Sequence, residues 1–183
     1  MGYIRPDKVG GIVNSFKYKG LTVRVVMDWA MGHVIDNGFK GQIMGSSRNN
    51  NNAIKDAMTN SWQSANDGTK YPKYTVQSDY DYQYRNHMRW DNQIGSSESG
   101  STNNSLYFSK GDYLAFREVS LSYMLPSTWV RKIRLSGVEV FAGAYNIGYI
   151  KKYDGMFPEI YTGVDYGVYP RPRQYNMGVK INF

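Results

Sequence analysis

The sequence predicts an all-β, antiparallel chain of membrane-barrel type, and three observations carry that reading. First, the last ten residues alternate strictly. Tyr175, Met177, Val179, Ile181 and Phe183 fall on one face, and Gln174, Asn176, Gly178, Lys180 and Asn182 on the other, as the two-residue side-chain period of a strand requires. Second, Leu21 to Met31 carries six apolar residues (Leu21, Val23, Val25, Met27, Trp29, Met31) on one face, with Arg24 and Asp28 on the other. About ten steps of ~3.3 Å, tilted by about 40°, rise roughly 25 Å, the height of the apolar band of outer-membrane barrels. Third, the connections between strands run short, long, short, long, the pattern of short periplasmic turns and long extracellular loops. The competing reading is a soluble β-sandwich that binds carbohydrate through aromatic loops. It needs a second sheet from the same chain to cover the apolar face.

Residues 9–18 form the first strand, with Ile12, Phe16 and Tyr18 on one side and Asn14 as an exception on that side. Lys19-Gly20 makes a tight hairpin turn, where glycine supplies positive φ, and 21–31 follows as the second strand. The stretch 36–110 is long, polar and rich in tyrosine, with an asparagine run at 49–52; loops of this length usually carry function. Within it the spacing of Ile54, Met58 and Trp62 predicts one short helix over about 53–62, capped by Asn52. The aromatics of 79–90 alternate with polar residues. Across the loop 36–110, Trp62, Tyr82, Tyr84 and Trp90 are the candidate substrate-loop aromatics, against an irregular loop packing its own rings. Residues 96–105 are rich in Gly, Ser and Asn.

A third strand spans 112–124, with Val119, Leu121 and Tyr123 on one face, and ends at Pro126, which has no N–H for a ladder. A short connector over 127–135 leads to a strand at 138–147. Its Val138, Val140, Ala142 and Ala144 oppose Glu139, Phe141, Gly143 and Tyr145. A second long loop, 151–171, precedes the closing strand. The alternation of turns puts the C-terminus on the periplasmic side. It gathers Tyr18, Tyr123 and Phe183 at that rim and Trp29 and Tyr175 at the other.

Composition removes several function classes. The chain of 183 residues has no cysteine, hence no disulfide framework or thiolate metal site, and His33 and His87 share no ligand spacing. The net charge is +7, but no run of Lys and Arg exceeds two residues, so the clustered footprint of a nucleic-acid binder is absent. No segment reaches the ~18 apolar residues of a membrane helix. No G-x-S-x-G, H-E-x-x-H or phosphate-loop motif occurs, and Asp79 and Asp81 read as solvated carboxylates. An enzyme is not expected, nor a cofactor or a metal. Met1 to Pro6 lacks the pattern of a signal peptide, so an exported protein of this type is expected to be longer, with this chain a fragment of it.

Three blocks of the C-terminal third resemble one family. G-D-Y-L-A-F-R-E-V-S-L-S-Y-M-L-P (111–126), V-E-V-F-A-G-A-Y-N-I (138–147) followed by K-Y-D-G-M-F-P-E (152–159), and Y-P-R-P-R-Q-Y-N-M-G-V-K-I-N-F (169–183) are similar, in order and spacing, to the C-terminal barrel segment of SusC/RagA-type TonB-linked outer-membrane transporters. Tyr145 departs from a common Gln, and Met156-Phe157 from the usual Tyr-Asp. The resemblance implies the last part of a 22-stranded barrel from the outer membrane of a Gram-negative, Bacteroidetes-type bacterium. The plug and signal peptide would lie elsewhere. It implies import of glycans or peptides powered by TonB, a SusD-like surface lipoprotein as partner, and no transport by this segment alone. It also implies roles. The face of Tyr175, Met177, Val179, Ile181 and Phe183 would meet outer-membrane lipid and end in the signal for barrel assembly. Arg24, Asp28, Glu139 and Lys180 would face the lumen. Loops 36–110 and 151–171 would shape the substrate vestibule and the lid contact.

Overall fold

The computed structural model describes residues 2–44, 54–69, 71, 73 and 105–183. Its five long strands are β1 (Lys8–Tyr18), β2 (Leu21–Met31), β5 (Tyr113–Met124), β6 (Gly137–Lys151) and β7 (Gln174–Asn182). They form one antiparallel sheet in the order β1-β2-β5-β6-β7, each pairing with the next. A two-stranded ribbon, β3 (Val34–Asp36) with β4 (Phe108–Lys110), stands apart. The sheet is open, and among the described residues no second sheet lies over it. The fold is thus the antiparallel all-β wall that the sequence predicts, and not a sandwich.

The tight turn is where it was expected. Lys19 (φ 46°) and Gly20 (φ 86°) are both left-handed, the combination that matches a two-residue hairpin to the twist of its strands. A Cβ on Gly20 would stand 2.7 Å from the Met124 carbonyl oxygen, which accepts no such neighbour. At the second short connection Pro126 ends β5. A helical turn, α3 (Ser127–Val130), and a 3-10 turn at Arg131–Ile133 then carry the chain to β6.

The register makes the two faces continuous across the strands. Tyr18, Leu21, Tyr123, Val140 and Val179 form one apolar rung, so Tyr18 and Tyr123 lie level, either side of Leu21, at the short-turn end. Tyr175 is not level with Trp29. Its rung runs through Ala144 and Val119 to Val25, part-way along β2. Two aromatic rings cover glycines on the neighbouring strand, Trp29 over Gly10 and Phe141 over Gly178. This explains a phenylalanine on the otherwise polar face.

A β-bulge interrupts β5. Val26 pairs with Glu118 and Met27 with Phe116, so Arg117 is the extra residue. An extra residue reverses the parity of a strand. Leu114 and Phe116, even-numbered, therefore join Val119, Leu121 and Tyr123, odd-numbered, on the apolar face. Arg117 and Glu118, though adjacent, both serve the polar side.

The compact part of the molecule lies beyond the long-loop end of the sheet. Ile35, Tyr153, Phe157 and Ile160 are buried together, with Tyr149 of β6 packed against them. The feet of the two long loops are laced together there. Asp36 and Asp165 exchange backbone hydrogen bonds with Gly163 and each other: Asp36 N–H to the Gly163 oxygen, 2.9 Å, and Asp165 N–H to the Asp36 oxygen, 2.8 Å. Asn37 N–H also donates to Tyr107 (2.9 Å), and Phe39 N–H to Asp165 (2.8 Å).

The single predicted loop helix needs correction. The first long loop contains two helices among the described residues, α1 (Gly38–Met44) and α2 (Lys55–Thr59). The second is shorter than 53–62, with Ile54 at its N-cap and no side-chain cap. Met58 and Trp62 are exposed, so the apolar spacing that suggested a longer helix has no packing partner to sustain it.

Candidate functional site

The long-loop end holds the densest charged cluster of the described residues, and each member is set by a local element. The bulge turns Arg117 onto the polar face beside Asp28 of β2. Its Nε donates to both Asp28 oxygens (2.8 and 3.0 Å) and its Nη2 to Oδ2 (2.8 Å). This is the two-pronged geometry that a guanidinium offers a carboxylate. Nη1 reaches Glu159 Oε1 at 2.5 Å and the Tyr149 hydroxyl at 3.3 Å. Tyr149 donates to Glu159 Oε1 (2.7 Å), and Arg171 approaches Oε2 at 3.1 Å. The Glu159 side chain is fully buried, whereas that of Arg171 is half exposed. Two carboxylates and two guanidiniums therefore balance across β2, β5, β6 and the second loop.

A second joint surrounds Asp154. It accepts from Lys40 Nζ (2.6 Å), Ser109 Oγ (2.8 Å) and Asn37 Nδ2 (3.3 Å). Burial alone would raise its pKa. The hydrogen bonds from Lys40, Ser109 and Asn37 outweigh burial and hold it below the ordinary carboxylate value. Asn37 also caps α1, accepting from the Lys40 N–H at 2.9 Å. Next to it Tyr153 donates to Asp165 (2.6 Å), which in turn accepts the N–H groups of Gly167 (2.8 Å) and Val168 (3.0 Å). Burial, then the bond to Asp165, pushes the Tyr153 hydroxyl far above its normal range. At the strand ends Asp112 accepts from Gly32 N–H (2.8 Å) and Lys152 (3.1 Å). The Gly32 bond is the main reason that its pKa is lowered. The pKa of buried His33 is lowered by desolvation, against the opposing pull of Asp112.

The block 152–159, notable in the sequence only as a resemblance, thus acquires a physical account. Tyr153, Asp154 and Glu159 each anchor a different piece of backbone, while Phe157 and Pro158 fill the core. These anchors, with Arg117, Tyr149, Asp165, Lys40 and Asn37, were not singled out as site residues by sequence reasoning. The pairing of one loop block with a lone Arg-Glu step in a strand was the available signal. The chemistry on offer is cohesion. Among the described residues no group of three or more His, Asp or Glu is arranged to hold a metal ion.

The sequence-predicted residues divide differently. Tyr175, Met177, Val179 and Ile181 share one face of β7 and are exposed, and Phe183 follows just past the strand end, almost wholly exposed. Arg24, Asp28, Glu139 and Lys180 fall on the opposite face, with Glu139 and Lys180 directly paired in register. The structure does not bring these four together as one cluster. Asp28 joins Arg117, Arg24 lies 3.5 Å from Glu118, and Glu139 and Lys180 stand near the short-turn end. Trp62 is exposed, its N–H bonded to the Tyr71 oxygen at 2.9 Å. Tyr82, Tyr84 and Trp90 lie outside the described residues, as do Asp79, Asp81 and His87.

No protein-family model matches the chain. Among curated proteins it is similar to TonB-dependent receptor P3 of Formosa agariphila, 25% identical over 190 residues, which cover 97% of this chain and 16% of that receptor. It is also similar to TonB-dependent receptor SusC of Bacteroides thetaiotaomicron, 26% identical over 91 residues, 49% of this chain and 9% of that protein. Among solved structures its fold matches part of the RagAB peptide transporter, with a TM-score of 0.72 and 21% identity over 98% of this chain and 17% of that one. The RagAB peptide importer in its closed-closed state matches with a TM-score of 0.71 and 22% identity. The chain therefore spans a small part of the proteins that it matches. Its likeness to TonB-dependent receptors extends over its length in sequence, to SusC over about half of it, and to the RagAB structures over its length in fold; these relatives are receptors and transporters rather than enzymes.

Proposed function

We propose, with that likeness as premise, that this chain is part of the barrel of a SusC-type TonB-dependent importer in the outer membrane, taking up glycan or peptide. The observation that carries the reading is the single apolar face that runs through all five strands, with no second layer over it among the described residues. A soluble protein would leave such a face as a large exposed patch. In a bilayer each large side chain moved into lipid contributes roughly 1.5–3 kcal/mol.

In this reading Tyr175, Met177, Val179, Ile181 and Phe183 meet lipid. Arg24, Asp28, Glu139 and Lys180 face the water-filled interior, and the C-terminus is periplasmic. Loops 36–110 and 151–171 open outward, toward substrate and a SusD-like lipoprotein. Plug and TonB contact belong to the rest of the transporter, and this part alone does not transport.

The test is Tyr175→Arg in the full-length gene product, at the β7 position whose rung crosses β2 part-way along, at Val25. A charge at mid-membrane costs about 2–4 kcal/mol, so the level in outer-membrane fractions should fall sharply, while Asn176→Arg on the opposite face leaves it near wild type. Equal levels for the two variants would remove the lipid-facing assignment.

A further inference from the structure

We propose that Arg117 is a latch that holds the second long loop folded inward, over the polar face of the sheet. The setting rests on the importer reading above, but the content comes from this chain's own geometry. Residues 158–161 of the loop, with Ile4, Arg5, Pro6 and His33, enclose a cavity of about 340 Å³ whose sheet side is Val9, Ala30 and Tyr113. Those three residues are one rung of the register, on the same side as Asp28. The loop therefore roofs the polar face and does not lie along the outer, apolar side.

Arg117 is the wall's grip on that roof. The bulge that makes it an extra residue also gives it a side chain on the polar face beside Glu118, a placement that period two would deny to neighbours. Asp28 occupies Nε and Nη2, which fixes the plane of the guanidinium and leaves Nη1 for Glu159 of the loop. Among the described residues the other cation against Glu159 is Arg171, which belongs to the same loop and is half exposed. A buried carboxylate that loses a guanidinium must regain water or another charge. Glu159 can regain water only by lifting residues 157–161 from the sheet. Release of the Arg117 contact and opening of the loop are therefore one event.

The experiment compares Arg117→Met, Arg117→Lys and Glu159→Gln with wild type in the full-length protein. Two readouts are taken, the outer-membrane level and the rate of chymotrypsin cleavage at the exposed tyrosines Tyr161 and Tyr166. Levels should stay near wild type. Cleavage should rise about tenfold in Arg117→Met and Glu159→Gln, the scale set by a lost charge-assisted bond, with Arg117→Lys in between. Unchanged cleavage in both variants overturns the latch. Loss of both variants from the membrane also overturns it, because Arg117 would then serve wall assembly. Absence of the wild type itself from outer-membrane fractions counts against the importer reading instead. Cleavage is then read on the fraction that holds the folded protein.

Discussion

The sheet and the loop platform are built from the same chain by opposite means. In the sheet, Val140, Leu121 and Ile181 are near half-exposed and the ladder of backbone bonds provides the order. In the platform, Ile35, Tyr153, Phe157 and Ile160 are buried and carboxylates are held by named donors. In the importer reading proposed above, the first region completes its energetics with something outside the chain, lipid and neighbouring strands. The second completes most of its own. Under that reading, spanning strands that vary only in apolar identity carry a loop base with the packing demands of a soluble core.

The sharpest way to break this comparison is a matched pair of truncations. Phe157→Ala should cost about 3–5 kcal/mol of platform stability. Ile181→Ala, at a half-exposed position on the open sheet that leaves no enclosed cavity, should cost closer to ~1–2 kcal/mol, the transfer of its lost methylenes. Equilibrium unfolding of the full-length protein in detergent, followed by amide exchange at 152–165 and at 174–182, separates the two. Equal costs would mean that the platform is no better packed than the wall.

A smaller effect is expected at the hairpin. Gly20→Ala places a Cβ in left-handed backbone and against the Met124 oxygen, for a loss of about 1–2 kcal/mol. It should appear as faster exchange in β1 and β2 and leave the platform untouched.

The gentlest probe is pH. His33 has its pKa lowered in the fold, so the unfolded chain binds the proton more readily. The contribution is present above the ordinary value of 6.5 and is lost as pH falls below it. Asp112 and Asp154, also lowered, keep theirs above 3.8 and lose it at more acid pH. Amide protection factors at 32–37 and 105–112, each taken relative to the unfolded chain at the same pH, should therefore fall in two steps on acidification, the first absent in His33→Asn, while those at the short-turn end of the sheet hold steady. A single step below pH 4 would exclude His33 from the platform's acid response.

The strands were legible because each needs only local information, an alternation of apolar and polar residues closed by Gly20 or Pro126. The observed bounds of β2 match the predicted ones, and β1, β5 and β7 differ by one residue at an end. The extension of β6 to Lys151 was not legible, since it passes through Asn146 in a left-handed conformation (φ 52°) at the register shift opposite the β5 bulge, and pairing with β5 resumes only at Gly148. The bulge at Arg117 was hidden for the same reason, as an extra residue exists only relative to a partner strand. The platform was the least legible part. Asp28, Arg117, Tyr149 and Glu159 come from four separate segments, and nothing in the neighbours of Glu159 says that a guanidinium 42 positions earlier will cover it. The α2 helix formed within its predicted window but over fewer residues, Lys55–Thr59, where local periodicity lacked a packing partner.

By itself, then, the sequence determined the strands, their two faces and the alternation of short and long connections, because side-chain parity and turn chemistry act over a few residues. Tertiary structure alone decided where parity reverses, how the loop feet interlock and which buried charges meet. Those depend on strand register and on contacts between residues distant in the chain, where the energy of a buried ion pair is set by all its neighbours at once.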